Sequence, residues 1–338
     1  MNPPRTHHLA AAASAVACAA LAASTTLARP SGLLLVTNKG DHTLSLVDVA
    51  AGHQLATIDE AGVTGHEVTT SPDGRLAFVP IYGSTGVGQA GTDGSLLRVI
   101  DLQKRAIVGT VDFRHGVRPH CPRINPRNGL LYVTTELDNA VTVIDPKTLS
   151  IVGSIPTGRP QSHMLAITRD GRRGYTANVS TGTVSVLDLE ARTLVTVIPA
   201  APRTQRIALS ADDREAFTAD QAALRLVVID TETNTVSGSI PLPGLGFGAT
   251  PAPDGRWLLV TLPALNEVGF IDLKSRRVVQ TVSVPKAPQE ILVAADGSEA
   301  YVSCDASRQI AVIDLASRQV SRLIDVGAMD DGLAWAAR

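Results

Sequence analysis

Apolar and polar positions alternate along this chain in short runs, and no stretch of a dozen residues carries apolar residues at helical spacing. Residues 130–145, LLYVTTELDNAVTVID, show the pattern best. Two runs rich in β-branched and aromatic residues flank Leu-Asp-Asn, so the stretch reads as a β-hairpin. Its second run closes on an apolar residue plus aspartate. That pair recurs as Val47-Asp48, Ile100-Asp101, Ile144-Asp145, Leu187-Asp188, Ile229-Asp230, Ile271-Asp272 and Ile313-Asp314. Successive aspartates stand 53, 44, 43, 42, 42 and 42 residues apart. Seven copies at so regular a period indicate a repeat architecture.

The last unit supplies a template. Residues 289–293 read as a first strand, Ala295-Asp296-Gly297 as a turn, 300–303 as a second strand, 309–314 as a third and 319–324 as a fourth. Four short antiparallel strands per unit, seven times over, predict an all-β fold, a seven-bladed β-propeller. The turn after the first strand recurs as Pro72-Asp73-Gly74, Asp170-Gly171, Asp212-Asp213 and Pro253-Asp254-Gly255, with Pro126-Arg127-Asn128-Gly129 in the third unit. Proline presets φ, aspartate bonds its own backbone and glycine accepts positive φ. The seven strand-closing aspartates read as turn-formers of the same kind, structural and not catalytic. At the ends, residues 33–37 match a second strand with no first strand before it, and residues 332–336 match a first strand with nothing after it. One blade is therefore expected to be built from both ends of the chain, which leaves no free sheet edge. Trp335 is expected to pack in that closing strand.

Composition narrows the function classes. Thirty Lys+Arg against 32 Asp+Glu, with no long basic run, argue against nucleic acid or an anionic membrane surface as partner. Residues 1–28 differ from the rest: Arg5, His7 and His8 precede an uncharged Ala-rich segment, 9–23, and Thr26-Leu27-Ala28 offers a cleavage point. This is the form of a secretory signal, which leaves 29–338 as an exported propeller, periplasmic or secreted, with no membrane span once the signal is removed. Cys121 and Cys304 fall in the third and seventh units, which are not neighbours in a ring of seven, so no disulfide is expected between them. A monomer is expected.

The phrases Leu131-Tyr132-Val133-Thr134-Thr135, Tyr175-Thr176-Ala177-Asn178 and Tyr301-Val302-Ser303-Cys304, each followed by a Thr-Val-x-Val-Ile-Asp-like strand, resemble the YVTN (YncE-like) family of β-propeller repeats. The resemblance runs over residues 33–338. It implies the fold and no single function, because one fold hosts many sites.

Function is sought where the repeats differ. The second unit carries a Gly-rich insertion, residues 82–95, between its second and third strands; it reads as a lid or ligand loop, or as a neutral length variant. It opens no helix, so its glycines do not make a nucleotide cofactor site. The second departure is a register. Seven residues before each turn position stand His66, His120, His163, Gln205, Phe247 and Gln289, with Asp331 as the seventh. At the corresponding end of the second strand stand Lys39, Tyr82, Glu136, Val179, Gln221, Pro263 and Asp305. Antiparallel pairing puts the two sets at one face, so His66, His120, His163, Glu136 and the insertion are expected around one mouth of the channel.

Neutral imidazoles with a carboxylate suit a transition-metal ion such as Zn, Fe or Cu, provided all three rings point inward; the alternative is a set of hydrogen-bonded polar residues capping the core. Tyr82, Arg206, Gln289 and Asp331 are the candidate ligand-binding residues beside them. His120-Cys121-Pro122 through Tyr132 to Val141 also resembles the seven-bladed lactonase family. That resemblance implies a functional glutamate at Glu136 and a histidine at His66, either serving as general base. His120 stands where that family has an arginine, so the electrophilic group would have to be replaced, for instance by a metal. Three readings follow: a binding protein whose His-rich mouth takes a metal ion or small polar ligand, a lactonase-like hydrolase, and a non-catalytic scaffold for a partner protein.

Overall fold

The computed structural model describes residues 1–2 and 32–337. They form seven four-stranded antiparallel sheets in a ring, with a single 3-10 turn, Pro263–Leu265, as the helical element among the described residues. Residues 1–28, where the secretory signal is expected, lie outside the described residues but for the first two.

The third blade shows how sequence becomes strand. Its inner strand is Pro119–Ile124, followed by Leu131–Thr135, Ala140–Asp145 and the outer strand Ser150–Pro156. The two middle strands are buried along nearly their whole length because each blade packs between two others. That is why they read as continuous apolar runs. The outer strands alternate, as in Arg277–Ser283, where exposed and half-buried residues succeed one another. Large side chains at one position of the second strand, Phe78, Tyr132, Tyr175, Phe217 and Tyr301, are fully buried between blades. Each such side chain contributes on the order of 1.5–3 kcal/mol by burial.

All seven strand-closing aspartates accept backbone N–H groups through Oδ1: Asp48 from Ala51, Asp101 from Lys104, Asp145 from Lys147, Asp188 from Ala191, Asp230 from Thr233, Asp272 from Ser275 and Asp314 from Ser317, at 2.7–2.9 Å. These bonds favour the carboxylate and hold Asp101, Asp188, Asp230, Asp272 and Asp314 below the usual range. Four residues on, each turn places one residue in the left-handed region: Gly52, Arg105, Leu149, Arg192, Asn234, Arg276 and Arg318. The aspartates therefore fix a tight turn in every blade, as their recurrence implies.

Closure follows the sequence expectation. The strand Asp330–Ala337 pairs with Gly32–Asn38, Leu34 opposite Trp335 and Val36 opposite Leu333, and so completes the first blade. Trp335 stacks on Tyr301 of the seventh blade at 5.8 Å between ring centroids. A hydroxyl belt ties blades together near the axis. Thr37 accepts from Gly332 N (2.9 Å) and donates to His66 O of the next blade (2.8 Å). Thr134 does the same between Cys121 N (2.9 Å) and His163 O (2.8 Å), and Thr261 between Gly248 N (2.7 Å) and Gln289 O (2.9 Å). The threonine of the repeat thus pins the backbone of the register positions on which function was sought. Cys121 and Cys304 are both free and buried.

Candidate functional site

Four rings come together at one end of the inner strands: His120 and His163 from Pro119–Ile124 and Ser162–Ile167, His66 from the segment before Thr69–Thr70, and Tyr82 from the second strand Leu76–Gly83. His120 and His163, on adjacent blades, lie 3.7 Å apart between centroids with a 33° tilt, as a near-stack. Tyr82 meets His66 at 4.6 Å, His120 at 5.1 Å and His163 at 6.1 Å, and His66 meets His120 edge-on at 5.4 Å. Burial disfavours the charged imidazole, and neighbouring cationic groups add to that. His66 is pushed down to about 4 and His163 to about 3, while His120 falls well below its usual value through burial and the two other rings. Nδ1 of both His120 and His163 is buried with no hydrogen-bond partner.

Glu136 stands beside this cluster, but both its oxygens are engaged. Oε2 accepts the Tyr82 hydroxyl, Oε1 accepts Gly88 N at 3.3 Å, and Arg118 Nη1 lies 3.9 Å from Oε1. Burial raises the Glu136 carboxyl, an effect the tyrosine and amide donors oppose. Burial, then the adjacent carboxylate, raises the Tyr82 phenol.

The insertion closes over this side of the ring. The strands Leu76–Gly83 and Asp93–Asp101 run longer than their counterparts and leave a loop at 84–92. Arg118, from the third blade, donates to Gln89 O at 2.6 Å and to Asp93 Oδ1 at 2.5 Å. Gly88 sits at positive φ, where a Cβ would lie 2.6 Å from the Gln161 side chain at the entry to the fourth blade. The loop thus leaves the second blade, is fastened by Arg118 and Glu136 of the third, and touches the fourth. Those are the blades that carry His66, His120 and His163.

Arg206 and Asp331 belong to a separate ionic group. Arg206 Nη2 reaches Asp331 Oδ1 at 2.8 Å and Glu67 Oε1 at 3.1 Å, the latter not aligned as a hydrogen bond, and Nη1 lies 3.8 Å from Glu290. Asp331 also meets Lys39 at 3.1 Å, which bonds Asp305 at the same distance. Burial would raise the Asp331 carboxyl, but Lys39 and Arg206 outweigh it and hold it below its usual range. Burial, reinforced by Glu290, pushes Glu67 well above. Arg206 lies over the Phe247 ring at 5.0 Å, and Gln289 turns to its own loop, donating to Ala287 O at 3.4 Å. Of the candidate ligand-binding residues, Tyr82 joins the imidazoles, Arg206 and Asp331 pair with each other, and Gln289 joins neither group.

Among the described residues, no three His, Cys, Asp or Glu side chains are set to hold one metal ion. The stacking explains this. An imidazole donates its lone pair in the ring plane, and two rings lying face to face do not aim at a common point. The histidines as they stand therefore do not fit a shared ion.

Reading from the register alone misses Arg118, Asp93, Glu67 and Glu290. Glu67 and Glu290 each follow a register residue in an otherwise apolar inner strand, and a charge there is the signal. Arg118 and Asp93 carry no such mark, since they meet only through the shape of the insertion.

The depressed imidazoles make stability depend on pH. Each ring's folded pKa lies below its unfolded value near 6.5, so its contribution is complete above that pH and is lost as the pH falls below it, toward about 4 for His66 and about 3 for His163. Each ring accounts for a slope of roughly 1.4 kcal/mol per pH unit in that window. His163→Gln is expected to unfold less steeply with acid than the parent, by roughly one proton, when urea denaturation is compared at pH 7 and pH 5. Parallel pH profiles would show that the ring is not held neutral.

Residues 244–337, the sixth and seventh blades with the closing strand, match the family model of the YNCE-like beta-propeller. Over that stretch, somewhat more than a quarter of its length, the chain is similar to the YNCE-like propellers. Among solved structures, this propeller is similar to a functionally unknown protein from Desulfotomaculum acetoxidans DSM 771, with a TM-score of 0.75 at 15% identity, covering 91% of this chain and 99% of that one. It is also similar to a chain of Kuenenia stuttgartiensis hydrazine synthase, with a TM-score of 0.72 at 18% identity over 85% and 94% of the two chains. The dihydro-heme d1 dehydrogenase NirN, solved in complex with DHE, matches with a TM-score of 0.66 at 16% identity over 91% and 76%. At such identities these likenesses bear on the fold alone. No curated protein matches the sequence.

Proposed function

We propose that this propeller is an exported binding protein. It takes a small polar ligand against His66, Tyr82, His120 and His163, and the 84–92 loop covers that ligand. The observation that carries the reading is the ring cluster itself. Three imidazoles kept neutral by burial lie within 5.4 Å of one another in successive contacts, and Nδ1 of both His120 and His163 is buried with no hydrogen-bond partner among the described residues. Buried polar groups are ordinarily satisfied, and rings left unpaired beside a fastened loop are suited to a partner from outside. The form of residues 1–28 supports export.

Binding is favoured over lactone hydrolysis. A general base must be turned toward the proton it removes. Glu136 accepts from Tyr82 and Gly88 on its two oxygens and works here as the fastening of the loop. Among the described residues no carboxylate is bonded to the His66 ring to orient it. The test is native mass spectrometry with elemental analysis of the protein as isolated from an exporting host. A small-molecule adduct present in the parent and lost in His163→Gln is the expected result. A stoichiometric transition metal would replace the polar ligand by an ion. An adduct-free, metal-free protein, with the same result after incubation with periplasmic extract, would overturn the reading.

A further inference from the structure

Beyond the ionic group, on the side of the ring away from the histidines, the inner strands enclose a cavity of about 450 Å³. Its wall is mostly apolar: Ile124, Ala166, Ile207, Leu292 and Trp335 line it half-buried, with Thr69 among them. Two guanidinium groups reach it, Arg206 and Arg123, and one lining carboxylate, Glu290. Their engagement differs sharply. Arg206 has Asp331 and Glu67 within 3.1 Å. Glu290 accepts Leu333 N at 2.9 Å and faces Arg206. Arg123 has no carboxylate within ion-pair distance among the described residues, and its one hydrogen bond runs from Nη1 to Pro122 O at 3.0 Å.

A guanidinium carries five donors in a planar fork and stays charged at any ordinary pH. Glu290 and Glu67 act on the Arg123 cation only from beyond ion-pair distance; a buried charge without a directly bonded partner is costly, and a ligand carboxylate on the fork relieves that cost. A pocket of this size with one such group and apolar walls matches the general form of small-molecule sites. We propose that the axial cavity binds an amphipathic monocarboxylate, its carboxylate on the fork of Arg123 and its apolar body along Ile207, Leu292 and Trp335. Glu290, already held by Leu333 and Arg206, disfavours a second negative charge and so selects against dianions. This site is distinct from the ring cluster, from which the Arg206, Glu67 and Asp331 group separates it, and it stands or falls apart from the function proposed for that cluster.

Octanoate is the probe, with octanol as its uncharged counterpart, titrated calorimetrically into the full chain at neutral pH. Saturable one-to-one binding of octanoate is expected, weakened about tenfold or more in Arg123→Met and retained in part in Arg123→Lys, with octanol bound weakly and equally by all three. Ala166→Phe, which fills the cavity without touching the charge, is expected to abolish octanoate binding and gives the reading if Arg123→Met does not fold. Absence of saturable octanoate binding to the parent, equal affinity for octanol, or affinity unchanged in Arg123→Met or Ala166→Phe would overturn the proposal.

Discussion

Replacing Arg206 by methionine is expected to lower the stability of the folded chain by about 3–5 kcal/mol at pH 7, the cost typical of removing one partner from a buried charge group. Arg206 is 7% exposed and faces three carboxylates: Asp331 at 2.8 Å, Glu67 at 3.1 Å and Glu290 at 3.8 Å. Methionine fills similar space over Phe247, so packing loss is a small part of the effect. The carboxylates come from three consecutive blades, the seventh, first and second, and the guanidinium from the fifth, so one residue neutralises charge that gathers on the other side of the axis. The pH dependence separates charge from packing. In the variant Glu67, already pushed well above its usual range by burial, is raised further, and Asp331 loses one of the two cations that hold it down, so proton uptake accompanies folding. The variant's deficit should therefore shrink as the pH falls from 7 to 5. Urea denaturation at the two pH values measures both quantities. A deficit below about 1 kcal/mol would mean that water screens the group as it does a surface pair.

A second large effect is expected from a single methyl group. Gly94 opens the third strand of the second blade, and a Cβ there would stand 1.7 Å from Ile81 O, a backbone atom that cannot swing aside. Gly94 O also accepts both Val117 N at 2.9 Å and Arg118 N at 3.0 Å. The same residue therefore sets the hairpin register of the insertion and the position of the arginine that fastens it. Gly94→Ala is expected to cost about 2–3 kcal/mol through forced backbone displacement. Limited proteolysis should then cut within 84–92 much faster than in the parent while the rest of the ring stays resistant. Cleavage at parental rates would show that Arg118 and Glu136 hold the loop without help from this junction.

The fold was legible because a propeller writes its structure repeatedly. Seven aspartates at one position could be read as turn-formers before any geometry was known, and all seven accept the backbone N–H groups that such a turn requires. The closing strand was legible for the same reason, as a template position vacant at one end of the chain and filled at the other. Histidines at one register point could be placed near one another, because period and strand direction fix where each inner strand begins. Their mutual orientation could not. Whether His120 and His163 stack or aim at a common point depends on side-chain torsions that no repeat encodes. Glu136 shows a further limit: its departure from its siblings marked it, yet its partners Tyr82, Gly88 and Arg118 come from an insertion whose path has no counterpart in the other blades.

The seam between Gly32–Asn38 and Asp330–Ala337 also has a mechanical consequence. The strands are antiparallel, and Gly32 stands opposite Ala337, so the two ends leave the ring side by side. Tension applied between those ends acts across the ladder and opens it one rung at a time, beginning at Gly32. It does not load all the rungs together, as shear along the strands would. A ring closed in this way resists thermal opening through its whole set of rungs, yet yields to a pull between its own termini at the force of a single pair.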